Sequence, residues 1–113
     1  MIKIYHNPRC QKSREALKIV EESGKKFEIV KYLENSPSKK ELREIVALLK
    51  IPVLDLVRKN ETIWKENFKG KILSEDAILE ALTTYPKLIE RPIIINGTKA
   101  VIGRPPIKVA AII

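Results

Sequence analysis

Apolar and polar positions change period several times along this chain, and each change marks an element. Ile2-Lys3-Ile4-Tyr5 alternates with the period of a strand, and Asn7-Pro8 breaks it into a turn. The spacing of Ala16, Leu17, Ile19 and Val20 predicts a helix from about Gln11 to Ser23, stopped at Gly24. Phe27 to Tyr32 reads as a second strand. A helix between two strands favours a right-handed crossover and parallel pairing. Helical spacing returns at Leu42, Ile45, Val46 and Leu49, preceded by Ser38 and Glu41 at capping-box distance. Between Pro52 and Pro86 the pattern is helical and interrupted: Val53 to Val57, a piece around Trp64, and Ser74 to Thr84 with Ser74 as a cap. Two β-rich runs then flank Asn96-Gly97, a strong hairpin signal. Pro105-Pro106 opens a short last helix.

Composition narrows the class. With 113 residues, 44% hydrophobic and 32% charged, and no stretch depleted of apolar residues, one domain over 1–113 with one core is expected. No segment approaches the roughly 20 apolar residues that span a bilayer, and the opening residues lack a basic head before a long apolar run. A cytoplasmic protein without a membrane association is therefore expected. The net charge of +8 favours anionic partners. The cations are mostly lysines scattered beside glutamates, as in Lys39-Lys40-Glu41, without interleaved aromatics. That reads as solvated helix faces, so no nucleic acid is expected as a partner.

Candidate chemistry centres on Cys10, the only cysteine, in His6-Asn7-Pro8-Arg9-Cys10-Gln11-Lys12-Ser13. Its place after a strand and before a helix puts a thiol where free amides and the positive end of the helix dipole meet, a setting that favours the reactive thiolate. One cysteine and one histidine make no internal disulfide and no four-ligand zinc site, so no metal is expected. Arg58, Arg91 and Arg104 sit in turns or at element boundaries, away from the charged helix faces. Guanidinium groups offer fixed forks of donors, so such a set suits a tetrahedral oxyanion.

The element order resembles a thioredoxin-like (glutaredoxin-like) α/β layout: a mixed four-stranded sheet flanked by helices, with a helical insertion between the two β halves. Over nearly its whole length the chain is similar to the glutathione- and glutaredoxin-coupled arsenate reductase family. Ile4-Tyr5-His6-Asn7-Pro8-Arg9-Cys10, then Tyr32-Leu33-Glu34-Asn35 with Pro37, then Arg58, Arg91-Pro92 and Arg104-Pro105 match its motifs in order. The resemblance implies that Cys10 attacks arsenate to form a thiol-arsenate intermediate, which glutathione and a glutaredoxin resolve to arsenite. It gives oxyanion binding to Arg58, Arg91 and Arg104 and the shaping of the loop to Asn7. It places His6 near the sulfur, where it favours the thiolate when protonated, with Ser13 hydrogen-bonding there or capping the helix, and makes Pro92 a cis proline beside the cysteine loop. Ser13 stands where a Cys-x-x-Cys enzyme keeps its resolving thiol, so reducing equivalents are expected from an external thiol, which the resemblance implies is glutathione, with no bound cofactor.

Each of these residues also has an ordinary reading. A lone cysteine can be a small core residue, His6 a strand-end residue bonded to a carbonyl, each arginine a surface cation, and Pro92 a trans edge-strand proline. Arg9 and Arg14 count as accessory, and Trp64 with Phe68 as helix packing. Two other functions fit the same framework: a glutathione-dependent thiol oxidoreductase with another substrate, and a redox regulator that binds RNA polymerase. Gly103-Arg104-Pro105 near the end and Ser13 in place of a second cysteine favour the reductase.

Overall fold

The computed structural model describes residues 1–113, which form two compact units: Met1–Glu34 with Arg91–Ile113, and Asn35–Glu90. The first unit contains β1 (Ile2–Tyr5), α1 (Gln11–Glu22), β2 (Phe27–Val30), β3 (Ile93–Asn96), β4 (Lys99–Ile102) and a 3-10 helix over Pro106–Ala111. The sheet runs β2-β1-β3-β4. Strands β1 and β2 are parallel, as the crossover through α1 requires, while β3 is antiparallel to both β1 and β4. The result is the mixed four-stranded sheet that the resemblance implies.

Alternation in β1 sets what lies on each face. Ile2 and Ile4 are buried against Ala16 and Val20 of α1, with Ile94 and Val109 completing the cluster. Removing a large aliphatic side chain from water contributes roughly 1.5–3 kcal/mol, so this layer holds α1 firmly on the sheet. Tyr5 and Ile93, register partners in the β1–β3 pair, are buried on the opposite face. The amide of His6 donates to the Val30 carbonyl at 3.1 Å and extends the ladder one residue beyond β1. The cysteine loop therefore leaves from a fixed point.

Two boundaries differ from the residue pattern. The second strand stops at Val30, because the next residues turn, the Glu34 amide donating to the Lys31 carbonyl at 3.0 Å. Tyr32 is nevertheless buried, which explains its apolar signal. In the hairpin, Asn96 pairs with Lys99, so the two turn residues are Gly97 and Thr98. Gly97 takes φ +63°, a left-handed value that suits glycine. The Asn96 side chain is used elsewhere, its Nδ2 donating to the Ile112 carbonyl at 2.6 Å.

The second unit is helical: α2 (Lys39–Leu49), α3 (Thr62–Asn67) and α4 (Glu75–Thr84), with 3-10 turns at Val53–Leu56 and Pro86–Leu88. Ser38 caps α2 by accepting from the Glu41 amide, and Ser74 caps α4 by accepting from the Ala77 amide, both at 3.1 Å. Leu42, Ile45, Leu56, Ile78, Leu79, Leu82 and Leu88 are buried. An antiparallel bridge between Val57 and Ile89 closes the unit near its end. No helix in either unit is long and apolar enough to cross a membrane.

Candidate active site

The segment between β1 and α1 is a short turn tied to itself. Asn7 does this twice: its Oδ1 accepts from the Arg9 amide and its carbonyl accepts from the Cys10 amide, both at 3.0 Å. Arg14, one turn into α1, donates from Nη1 to the Pro8 carbonyl at 2.9 Å and pins the turn to the helix. Cys10 is thereby delivered as the N-cap residue of α1, with extended backbone, and its side chain makes no capping bond. Its sulfur is left for other work. The first turn of α1 carries no acidic residue, so nothing there competes for the positive end of the helix.

Arg104 meets that sulfur. Its Nη1 lies 3.9 Å from Cys10 Sγ and also donates to the Arg91 carbonyl at 3.3 Å. The approach depends on the segment before it. The Gly103 amide donates to the Pro92 carbonyl at 2.8 Å, and a Cβ on Gly103 would stand 2.9 Å from Pro92 Cγ. Only glycine lets the end of β4 lie this close to the Arg91–Pro92 peptide, which is cis as the resemblance implies. The Arg104–Pro105 peptide is cis as well, which the residue pattern did not signal. Arg91 Nε is buried and has no hydrogen-bond partner. A buried guanidinium N–H without an acceptor is costly.

A second cluster supports the loop from below. Ser13 is fully buried in the first turn of α1; its Oγ accepts from the Asn7 amide at 3.0 Å and lies 2.6 Å from His6 Nδ1. This corrects the expected place of Ser13. Its hydroxyl serves the loop and the imidazole, and it caps no helix end, because Cys10 occupies the N-cap position. His6 is the other member of the cluster. Burial, and then the nearby Arg14 charge, push its pKa below the ordinary 6.5, with Glu21 opposing more weakly. Both leading influences favour the neutral imidazole, whose Nδ1 pairs with the Ser13 hydroxyl.

Arg58 belongs to the helical unit. Its Nη1 donates to Glu61 Oε1 at 2.7 Å, its Nε lies 3.3 Å from Glu90 Oε1, and its amide donates to the Leu88 carbonyl at 2.7 Å. Lys87 joins the same group through Glu61, at 3.8 Å. The residues that sequence reasoning passed over are Glu61 and Glu90, which hold Arg58; Arg14 and Gly103 were noted there without the contacts they make. Glu61 stands three positions after Arg58 across a turn, its amide donating to the Arg58 carbonyl at 3.2 Å. No group of three or more His, Cys, Asp or Glu side chains comes together in a way that could hold a metal ion.

Comparison with known proteins adds an independent line. Residues 5–112 match the family model described as the ArsC family. The chain is 44% identical to the uncharacterized protein YfgD of Escherichia coli K12, over 99% of this chain and 96% of that one. It is 42% identical to an arsenate reductase of Neisseria meningitidis serogroup A, over 92% and 91% of the two chains. Among solved structures, it is similar to the arsenate reductase from Vibrio cholerae, with a TM-score of 0.95 and 43% identity, covering 99% of this chain and 97% of that chain.

Proposed function

Because this chain belongs to the ArsC family, we propose that it is an arsenate reductase in which Cys10 is the nucleophile and an external thiol, glutathione acting with a glutaredoxin, completes the reduction. The Cys10 thiolate attacks arsenic(V), a sulfur–arsenic bond forms, and one arsenate oxygen leaves as water after taking protons from solvent. A glutathione thiolate then attacks the Cys10 sulfur. The electron pair of the sulfur–arsenic bond goes to arsenic, which leaves as arsenite, arsenic(III), while a Cys10–glutathione disulfide remains. Glutaredoxin with a second thiol equivalent reduces that disulfide and returns Cys10.

The observation that carries this reading is the Arg104 guanidinium 3.9 Å from Cys10 Sγ. A cation there steadies the sulfur anion and then the negative charge gathered on the arsenate oxygens as sulfur attacks. Arg91, with its unpartnered buried Nε, is a second donor for the same oxyanion. Arg58 is the third by its motif. Asn7, Ser13 and His6 are positioning residues that hold the loop and with it the sulfur. Cys10 is the only cysteine, so the chain has no internal thiol to resolve the intermediate. A reducing compartment, where Cys10 stays a free thiol, fits this cycle.

The test is arsenite formation by the purified protein supplied with arsenate, glutathione and glutaredoxin. Turnover is expected only when all three are present, and Cys10→Ser should remove it. Absence of arsenite with the complete mixture would contradict the reading. Arsenite formation at an undiminished rate by Cys10→Ser would contradict it equally.

A further inference from the structure

Arg9 and Lys12 stand on either side of Cys10 in the chain, and both are exposed. Neither has an acidic partner. The guanidiniums of Arg14, Arg43, Arg58 and Arg104 each hold a carbonyl, a carboxylate or the cysteine sulfur, whereas Arg9 engages only through its backbone amide. The acidic side chain nearest in sequence, Glu15, accepts from Gln11 Nε2 at 3.1 Å, so it is turned to its own helix neighbour. Around the reacting sulfur the rim is thus positive and uncompensated, with no acid in the first turn of α1.

Arsenate does not require this rim, because Arg104 supplies a cation at the sulfur itself. The second reactant of the cycle has different chemistry. A thiol such as glutathione carries its sulfhydryl between two carboxylate-bearing ends, so a sulfur that reaches Cys10 brings one negative group toward each flank. Two exposed cations without an acidic partner, one position before and two positions after Cys10 in the chain, suit such a reactant, and they raise the local concentration of an anionic thiol over a neutral one.

We infer that Arg9 and Lys12 are the landing for the carboxylates of the reducing thiol, so that this site selects an anionic thiol. The assignment rests on the reading that an external thiol attacks Cys10, and it is tested without arsenate. Cys10 is converted to its pyridyl disulfide with the neutral reagent 2,2′-dipyridyl disulfide. The attacking thiolate then forms a new disulfide at the Cys10 sulfur, and the S–pyridyl bond breaks to release 2-thiopyridone, whose absorbance gives the rate. Glutathione and its uncharged-carboxyl diethyl ester are compared at equal thiolate concentration.

In the native chain the ratio of the glutathione rate to the ester rate should exceed that of the Arg9→Gln/Lys12→Gln double variant by about ten-fold, a modest value for electrostatic steering. The excess should shrink as salt is raised. Lys26→Glu, a charge change in the turn before β2, should leave the ratio near its native value. A ratio that is the same in the double variant, or one that falls as far in Lys26→Glu, would overturn the assignment. So would a Cys10 that takes up no pyridyl group, since a sulfur closed to that reagent cannot meet glutathione. Failure of arsenate reduction alone would leave these rates standing, so the two readings fail separately.

Discussion

In the helical unit, both arginines are held by carboxylates: Arg43 meets Asp76, which Lys39 shares, and Arg58 lies between Glu61 and Glu90. In the sheet unit, Arg9, Lys12, Arg14 and Arg104 have no carboxylate partner, and its one ion pair is the exposed Lys18–Glu22. The same residue types therefore do different work. Exposed pairs such as Lys39–Asp76 are screened and contribute little to stability, so they mainly decorate neighbouring helices. Uncompensated cations gathered at a nucleophile make a field that favours negative charge, and that field is an expense in the resting protein that an anionic reactant relieves.

The comparison breaks most visibly at Arg104. Arg104→Ala should lower kcat/KM for arsenate by roughly 10²–10³-fold, the usual loss when one donor to a developing oxyanion is removed. Arg43→Ala in the helical unit should leave that value unchanged, although it also deletes a guanidinium. Steady-state arsenite production by the two variants decides the matter, and equal losses would mean that the distinction between the units is false.

Gly103→Ala should act next most strongly, through packing. Its Cβ would press on the Pro92 ring at 2.9 Å and on the Ile94 and Val109 methyls at 3.3 Å, both residues of the buried cluster. Overpacking of this kind costs about 1–3 kcal/mol, readable as a lower midpoint in urea. Activity should fall further than stability, since Arg104 is displaced along with the backbone.

The smallest effect concerns His6. Its native pKa is pushed down from 6.5, so the folded chain prefers the neutral ring and the unfolded chain takes up the proton first. Stability from this group is complete above about pH 6.5, is lost as pH falls toward the lowered native value, and changes no further below it. Urea midpoints measured through that range should decline in the native chain and stay flatter in His6→Gln, once the common slope from carboxylates is subtracted.

Much of this was legible in the residues. Period-two alternation at Ile2-Lys3-Ile4-Tyr5, the apolar stripe of α1, and the serine caps at 38 and 74 are local signals, and the elements appear where these signals put them. The cysteine loop could be read because Asn7-Pro8 and the start of a helix bracket Cys10. The partners of Ser13 and His6 were not legible, because only the fold supplies them. Burial of His6 and the nearby Arg14 favour the neutral imidazole, and the Asn7 amide donates to the Ser13 oxygen. Gly103 could not be recognised for a similar reason: its constraint is the Pro92 ring, eleven positions away in the chain. Glu61 and Glu90 looked like surface acids until the Val57–Ile89 bridge brought their strands of chain together around Arg58.

The central claim is that an oxyanion sits between Cys10 Sγ and Arg104. Alkylation of Cys10 by iodoacetamide, timed by mass spectrometry at rising arsenate concentration and without any reductant, tests it directly. The rate should fall to a plateau as arsenate saturates the site, and Arg104→Ala should need far more arsenate for the same protection. Alkylation that proceeds at one rate at every arsenate concentration would contradict the account.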